Sequence, residues 1–172
     1  HRVGRAQQRS AHARRQRIAR AGQTAIGWEE GREILEGLCA GLGHAHARGV
    51  VHADIKPANV FLAAGSVKLL DFGIASALKP EGRVSVQTTQ AGGLVGTPHY
   101  MSPEQINGDP VDGRSDQYAL ACVLFQLLTG RVPFAADRQV ARISGHLYSP
   151  PPDLRTIRPQ LPGELAHVVA KG

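Results

Sequence analysis

Asp54, Lys56, Asn59 and Asp71 stand close together in the chain, and their types complement one another. A carboxylate can take a proton from a hydroxyl, an ammonium can lie against phosphate oxygens, and an amide oxygen with a second carboxylate can hold a hard divalent cation. Moving a γ-phosphoryl group needs that set, because negative charge concentrates on oxygens in the transition state. The residues therefore read as a base, Asp54, a phosphate-facing cation, Lys56, and two ligands for Mg²⁺, Asn59 and Asp71.

Local chemistry dictates how these groups are carried. Pro57 fixes its own φ and biases Lys56 toward an extended backbone, so 54–59 is expected to be a rigid loop and not a helix. The runs 60–62 and 67–70 are short and apolar enough for two strands joined through 63–66, a hairpin that sets Asn59 and Asp71 at neighbouring strand ends. Upstream, Ile34, Leu35, Leu38, Leu42 and Ala45 recur at helical spacing through 29–48, with Glu29, Glu30 and Glu33 at the favoured end and Gly49 as a stop. Such a helix would brace the loop from beneath. His44 and His46 fall on different faces of it and read as packing or surface residues, not metal ligands. Downstream, 115–129 is apolar almost all round, as a buried helix should be, with Ser115 as N-cap and Gly130 as C-cap. A polar loop is expected over 74–95. Pro150, Pro151 and Pro152 mark a loop between two more helices near 135–146 and 163–171.

The segment His52-Ala53-Asp54-Ile55-Lys56-Pro57-Ala58-Asn59, then Asp71-Phe72-Gly73, resembles the catalytic loop and DFG motif of protein kinases, with Ala53 where that family usually has Arg. Gly96-Thr97-Pro98-His99-Tyr100-Met101-Ser102-Pro103-Glu104 is similar to the family's G-T-x-x-Y-M-S-P-E segment, and Ser115-Asp116 onward to its central helix. Together these segments resemble those of the bacterial group of eukaryotic-type Ser/Thr kinases. The resemblance implies an α+β fold, the mainly helical large lobe of a kinase, with ATP and Mg²⁺ as cofactors and a Ser or Thr of a protein substrate as acceptor. It places Thr97 with the catalytic residues Asp54 and Lys56, and Phe61 under the adenine beside the nucleotide-binding Lys56, Asn59 and Asp71. It makes His52 and Phe72 internal supports of the active fold. It has Asp116 hydrogen-bonding the catalytic-loop backbone, although the helix dipole alone would also favour an acid there.

The departures bear on activity. In that family a small β-rich lobe supplies a Gly-rich loop, a strand lysine and a helix glutamate, and residues 1–28 contain no G-x-G-x-x-G and no lysine. The chain is expected to be a large-lobe fragment cut at both ends, missing the small lobe and the late Arg that pairs with the residue matching Glu104. The 172 residues alone are then expected to be inactive. Two other readings stand beside the kinase: a non-catalytic kinase-like scaffold, and a small-molecule phosphotransferase of the aminoglycoside-kinase type. Lys56, the DFG and the GTPHYMSPE segment oppose the second of these; an intact Asp54, Asn59 and Asp71 opposes the first.

Composition bounds the rest. With 172 residues and 42% hydrophobic content the chain can build one core, and no apolar run is long enough to span a membrane. A transmembrane helix placed after the kinase domain, as bacterial members often have, would lie outside this chain. Cys39 and Cys122 fall in two helices expected to be buried and form no disulfide or zinc framework, which suits a cytoplasmic location. Residues 1–28 hold seven Arg and no acid against a total of +6, which leaves −1 on 29–172. That Arg-rich segment lacks interleaved aromatics, so it reads as a separate stretch before the kinase-like part 29–172 and not as a nucleic-acid-binding arm.

Overall fold

The computed structural model describes residues 25–63, 66–71 and 98–171. Helix α1 runs Trp28–His46, with Glu29 and Glu30 in its first turn and a buried stripe of Ile34, Leu38, Leu42 and Ala45. It ends two residues earlier than the 29–48 pattern suggests, because Ala47 is the cap and the chain reverses through Gly49 at φ 72° while Val50 N–H returns to the Ala45 carbonyl. A three-residue 3₁₀ turn, Pro57–Asn59, leads into β1, Val60–Ala63, which pairs antiparallel with β2, Ser66–Leu69.

The register decides which side of the hairpin meets the core. Val60 faces Leu69 and Leu62 faces Val67 across the ladder, and all four pack with α1. The intervening pair, Phe61 and Lys68, stands on the other face. Helix and hairpin approach closely enough to require glycine at position 37. A Cβ there would lie 2.6 Å from Val67 Cβ.

Five further helices complete the described fold: α2 (Pro103–Asn107), α3 (Gly113–Thr129), α4 (Gln139–Tyr148), the short α5 (Leu154–Ile157) and α6 (Gly163–Lys171). Helix α3 separates two clusters. Ala119, Leu120, Val123 and Leu127 join α1, Ile55 and Val60 on one side, and Leu124, Phe125 and Leu128 join Leu154, Leu161 and Leu165 on the other. This burial on two sides explains why its sequence is apolar almost all round. Gly130 ends it at φ 73°, as expected. Ser115 is not its N-cap. Asp112 is, accepting the Arg114 N–H at 2.7 Å, while Ser115 lies inside the helix and donates its hydroxyl to Glu104.

Other expectations need adjustment. The helix expected near 135–146 begins at Gln139 and reaches Tyr148, and α5 was not foreseen behind the Pro-rich loop. Cys39 is exposed, one position off the buried stripe of α1, whereas Cys122 is buried as expected. The 74–95 loop and the Arg-rich 1–24 lie outside the described residues.

Candidate active site

Three of the sequence-selected residues meet at one point. Lys56 Nζ donates to both carboxylate oxygens of Asp54, at 3.0 Å to Oδ1 and 2.7 Å to Oδ2. Asn59 Nδ2 donates to the Asp54 carbonyl at 2.8 Å and to Asp54 Oδ2 at 3.1 Å. Asn59 is buried, and its Oδ1, the atom able to ligate a cation, stays out of these bonds. Asp54 and Lys56 are partly open to solvent, with side-chain exposures of 28% and 39%.

The hairpin brings the fourth residue alongside. Leu70 N–H donates to the Asn59 carbonyl at 2.8 Å, and the Leu70 carbonyl accepts from His52 Nε2 at 2.9 Å. Asp71 follows immediately, exposed and at φ 63°. His52, fully buried, also takes the Asp54 N–H on Nδ1 at 3.2 Å. Those two contacts select the tautomer with its proton on Nε2, so one ring ties the loop that carries Asp54 to the strand end that carries Asp71.

The loop backbone is itself held in a costly shape. Ala53 has φ 59°, a left-handed conformation that a residue with a Cβ rarely adopts. Asp116, fully buried in α3, accepts the His52 N–H at 2.8 Å and the Ala53 N–H at 2.7 Å. The same carboxylate accepts from His46 Nε2 at 2.7 Å. The role that resemblance assigns to Asp116 is thus its observed contact; the part taken by His46 was not foreseen, since a contact across 70 residues leaves no periodic trace.

The segment 98–107 docks on the same loop. Tyr100 donates its hydroxyl to Gln126 Oε1 of α3 at 2.5 Å, and burial pushes its pKa up to about 12, so it remains a donor. Gln105 Nε2 donates to the Ala53 carbonyl at 2.7 Å. Phe61 is half-buried on the hairpin face away from the core. Thr97, Phe72 and Gly73 lie outside the described residues. A separate apolar cavity of about 240 Å³, lined among others by Tyr118, Cys122, Phe125, Phe134 and Val169, contains none of these residues.

Residues 9–151 match the family model described as the protein kinase domain. The chain belongs to that family. It is 44% identical over 143 residues to the serine/threonine-protein kinase Pkn1 of Myxococcus xanthus, covering 80% of this chain and 20% of that protein. Against PknB of Mycobacterium tuberculosis the figures are 42% over 120 residues, 69% and 19%. For PknD of the same species they are 45% over 141 residues, 81% and 20%. The chain therefore spans about a fifth of the length of the curated relatives it matches. Kinase-family chemistry uses ATP and a divalent metal, and the donor set fits the latter. Among the described residues no three His, Cys, Asp or Glu converge into a closed metal cage. Mg²⁺ does not need one, since it is commonly bound by one or two protein oxygens together with phosphates and water. No helix among the described residues is long and apolar enough to cross a membrane.

Proposed function

We propose that this chain is the large lobe of a Ser/Thr protein kinase and that its site transfers the γ-phosphoryl group of ATP to a Ser or Thr hydroxyl of a protein. The observation that carries this is the Asp54 carboxylate, fixed by Lys56 and Asn59 beside the strand end that presents Asp71. The relatives' names support the choice of Ser/Thr, as does the pairing of Lys56 with Thr97 in the sequence. The reaction needs ATP, so a cytoplasmic setting is expected for this lobe, with no nucleic-acid partner.

In this mechanism Asp54 orients the acceptor hydroxyl and takes its proton as the new O–P bond forms and the bond to the ADP oxygen breaks. Two of the three N–H donors of Lys56 face Asp54, leaving the third for a γ-phosphate oxygen. Asn59 Oδ1 and the Asp71 carboxylate would hold Mg²⁺, which supplies charge neutralisation on the phosphates when bound. Phe61, on the outer face of β1, would pack under the adenine. Thr97 would lie close to the acceptor hydroxyl.

The test is phosphorylation of a Ser- and Thr-containing protein by the full-length protein with Mg·ATP, followed by identification of the modified residue. Asp54→Asn is expected to lower turnover by about 10²–10⁴-fold with little change in KM for ATP. Isolated residues 1–172, with no lysine before Lys56, serve as the low-activity control. Phosphotransfer that survives Asp54→Asn, or that modifies tyrosine or a small molecule instead, would overturn the assignment.

A further inference from the structure

Ala53 is bonded from two directions by two helices distant in sequence. Its N–H goes to Asp116 of α3 and its carbonyl to Gln105 of α2. The Gln105 amide cannot be turned round. Its Oε1 accepts the Ser102 N–H at 3.1 Å and the Ser102 hydroxyl at 3.3 Å, so Nε2 must point at the Ala53 carbonyl, which only accepts. Gln105 is 6% exposed and completes a capping box with Ser102, which itself is fully buried.

Two roles are thus combined in one side chain. The oxygen end closes the N-terminus of α2 and so registers the seating of the 98–105 segment. The nitrogen end holds Ala53 at φ 59°, the conformation that sets the direction of the next residue, Asp54. Only a carboxamide of this length serves both ends: glutamate keeps the acceptor and loses the donor, methionine keeps the shape and loses both, and asparagine is one methylene short.

We propose that Gln105 is a positioning residue for Asp54, coupling the seating of the 98–105 segment to the left-handed turn at Ala53. The inference rests on Asp54 being the base. It predicts that the damage done by losing the Gln105 donor depends on whether residue 53 resists its own conformation. Glycine has no such resistance at positive φ.

The experiment compares Gln105→Glu, Gln105→Met, Ala53→Gly and the paired combinations in the full-length protein, reading kcat, KM for ATP and amide hydrogen exchange at residues 52–54. Gln105→Glu is expected to lower kcat about tenfold or more while KM for ATP stays within about twofold. Adding Ala53→Gly should restore most of that loss, because the left-handed turn no longer needs the clamp. Faster exchange at the Ala53 and Asp54 amides is expected for Gln105→Glu even though its capping-box acceptor is retained. A folded Gln105→Glu protein with unchanged kcat, or an equal loss with and without Ala53→Gly, would overturn the proposal. If Asp54→Asn proves active, the base assignment has failed. Exchange then decides the clamp alone: unchanged protection at 52–54 in both Gln105 variants overturns it, and lost protection supports it.

Discussion

Asp116 Oδ1 accepts the Ala53 N–H at 2.7 Å, joining the buried helix α3 to the residue before the candidate base across 63 positions of sequence. Because the carboxylate is fully buried and also serves His52 and His46, removing it strands three donors at once. Asp116→Ala is expected to cost about 3–5 kcal/mol, since each buried N–H left unpaired costs about 1–3 kcal/mol. Urea denaturation checks this. Asp116→Asn, which keeps one acceptor oxygen, should fall between the parent and Asp116→Ala in stability; a loss under about 1 kcal/mol for Asp116→Ala would show that the contact contributes little.

Gly37 is fixed by packing and not by backbone conformation. Gly37→Ala would add a Cβ 2.6 Å from Val67 Cβ and 2.7 Å from its Cγ2. Helix propensity alone favours alanine by about 1 kcal/mol, but a collision with the root of a β-branched side chain outweighs it, so a net loss of about 1–3 kcal/mol is expected. Pairing it with Val67→Ala should recover part of the loss. Stabilisation by Gly37→Ala alone, seen in thermal unfolding, would count against the close approach of α1 and β2.

What was legible in the sequence divides along physical lines. The hairpin, α1, α3 and the convergence of Asp54, Lys56 and Asn59 follow from short-range signals: Pro57, apolar period and the Gly130 stop. The N-cap of α3 was misplaced because Ser115 and Asp112 are both good caps, and only the fold shows that Ser115 is turned toward Glu104. Helix α5 has four residues, too few for any period to register. The contacts of His46 and Gln105 depend on partners far along the chain, for which a single sequence holds no local signal.

His146 gives the fold a pH response. It is 5% exposed, its Nδ1 is paired with the Tyr118 hydroxyl at 2.7 Å, and Phe134 packs edge-on against its ring. Burial, with His99 nearby, pushes its pKa down to about 4. The titratable groups that face it are the Tyr118 hydroxyl of α3 and His99 of the 98–107 segment, and Arg142 of α4 acts on His99 in the same direction. The folded state therefore binds fewer protons than the unfolded chain, so stability is present above the ordinary imidazole value of 6.5 and is lost as pH falls toward about 4. His146→Leu should flatten that part of the stability curve relative to the parent. An identical slope for both proteins between those pH values would refute the assignment to His146.

Ala53 also bears on the segment 74–95, which the sequence leads one to expect as a loop and whose Ser85, Thr88 and Thr89 lie outside the described residues. In kinases with Arg before the catalytic Asp, that buried cation needs a counter-charge, and a phosphate on the loop supplies it through charge-assisted hydrogen bonds. Ala53 carries no charge, and its backbone is already held by Asp116 and Gln105. A loop phosphate would have to rely on cations such as Lys79 or Arg83 in its own segment. Replacing Ser85, Thr88 and Thr89 together by Ala in the full-length protein is therefore expected to change turnover by less than about threefold. Ala53→Arg in the same background should introduce the dependence, lowering activity when the three hydroxyls are absent more than when they are present. Turnover with a Ser- and Thr-containing protein acceptor is the measurement, and a fall of about a hundredfold in the triple variant alone would show that a loop phosphate is required despite Ala53.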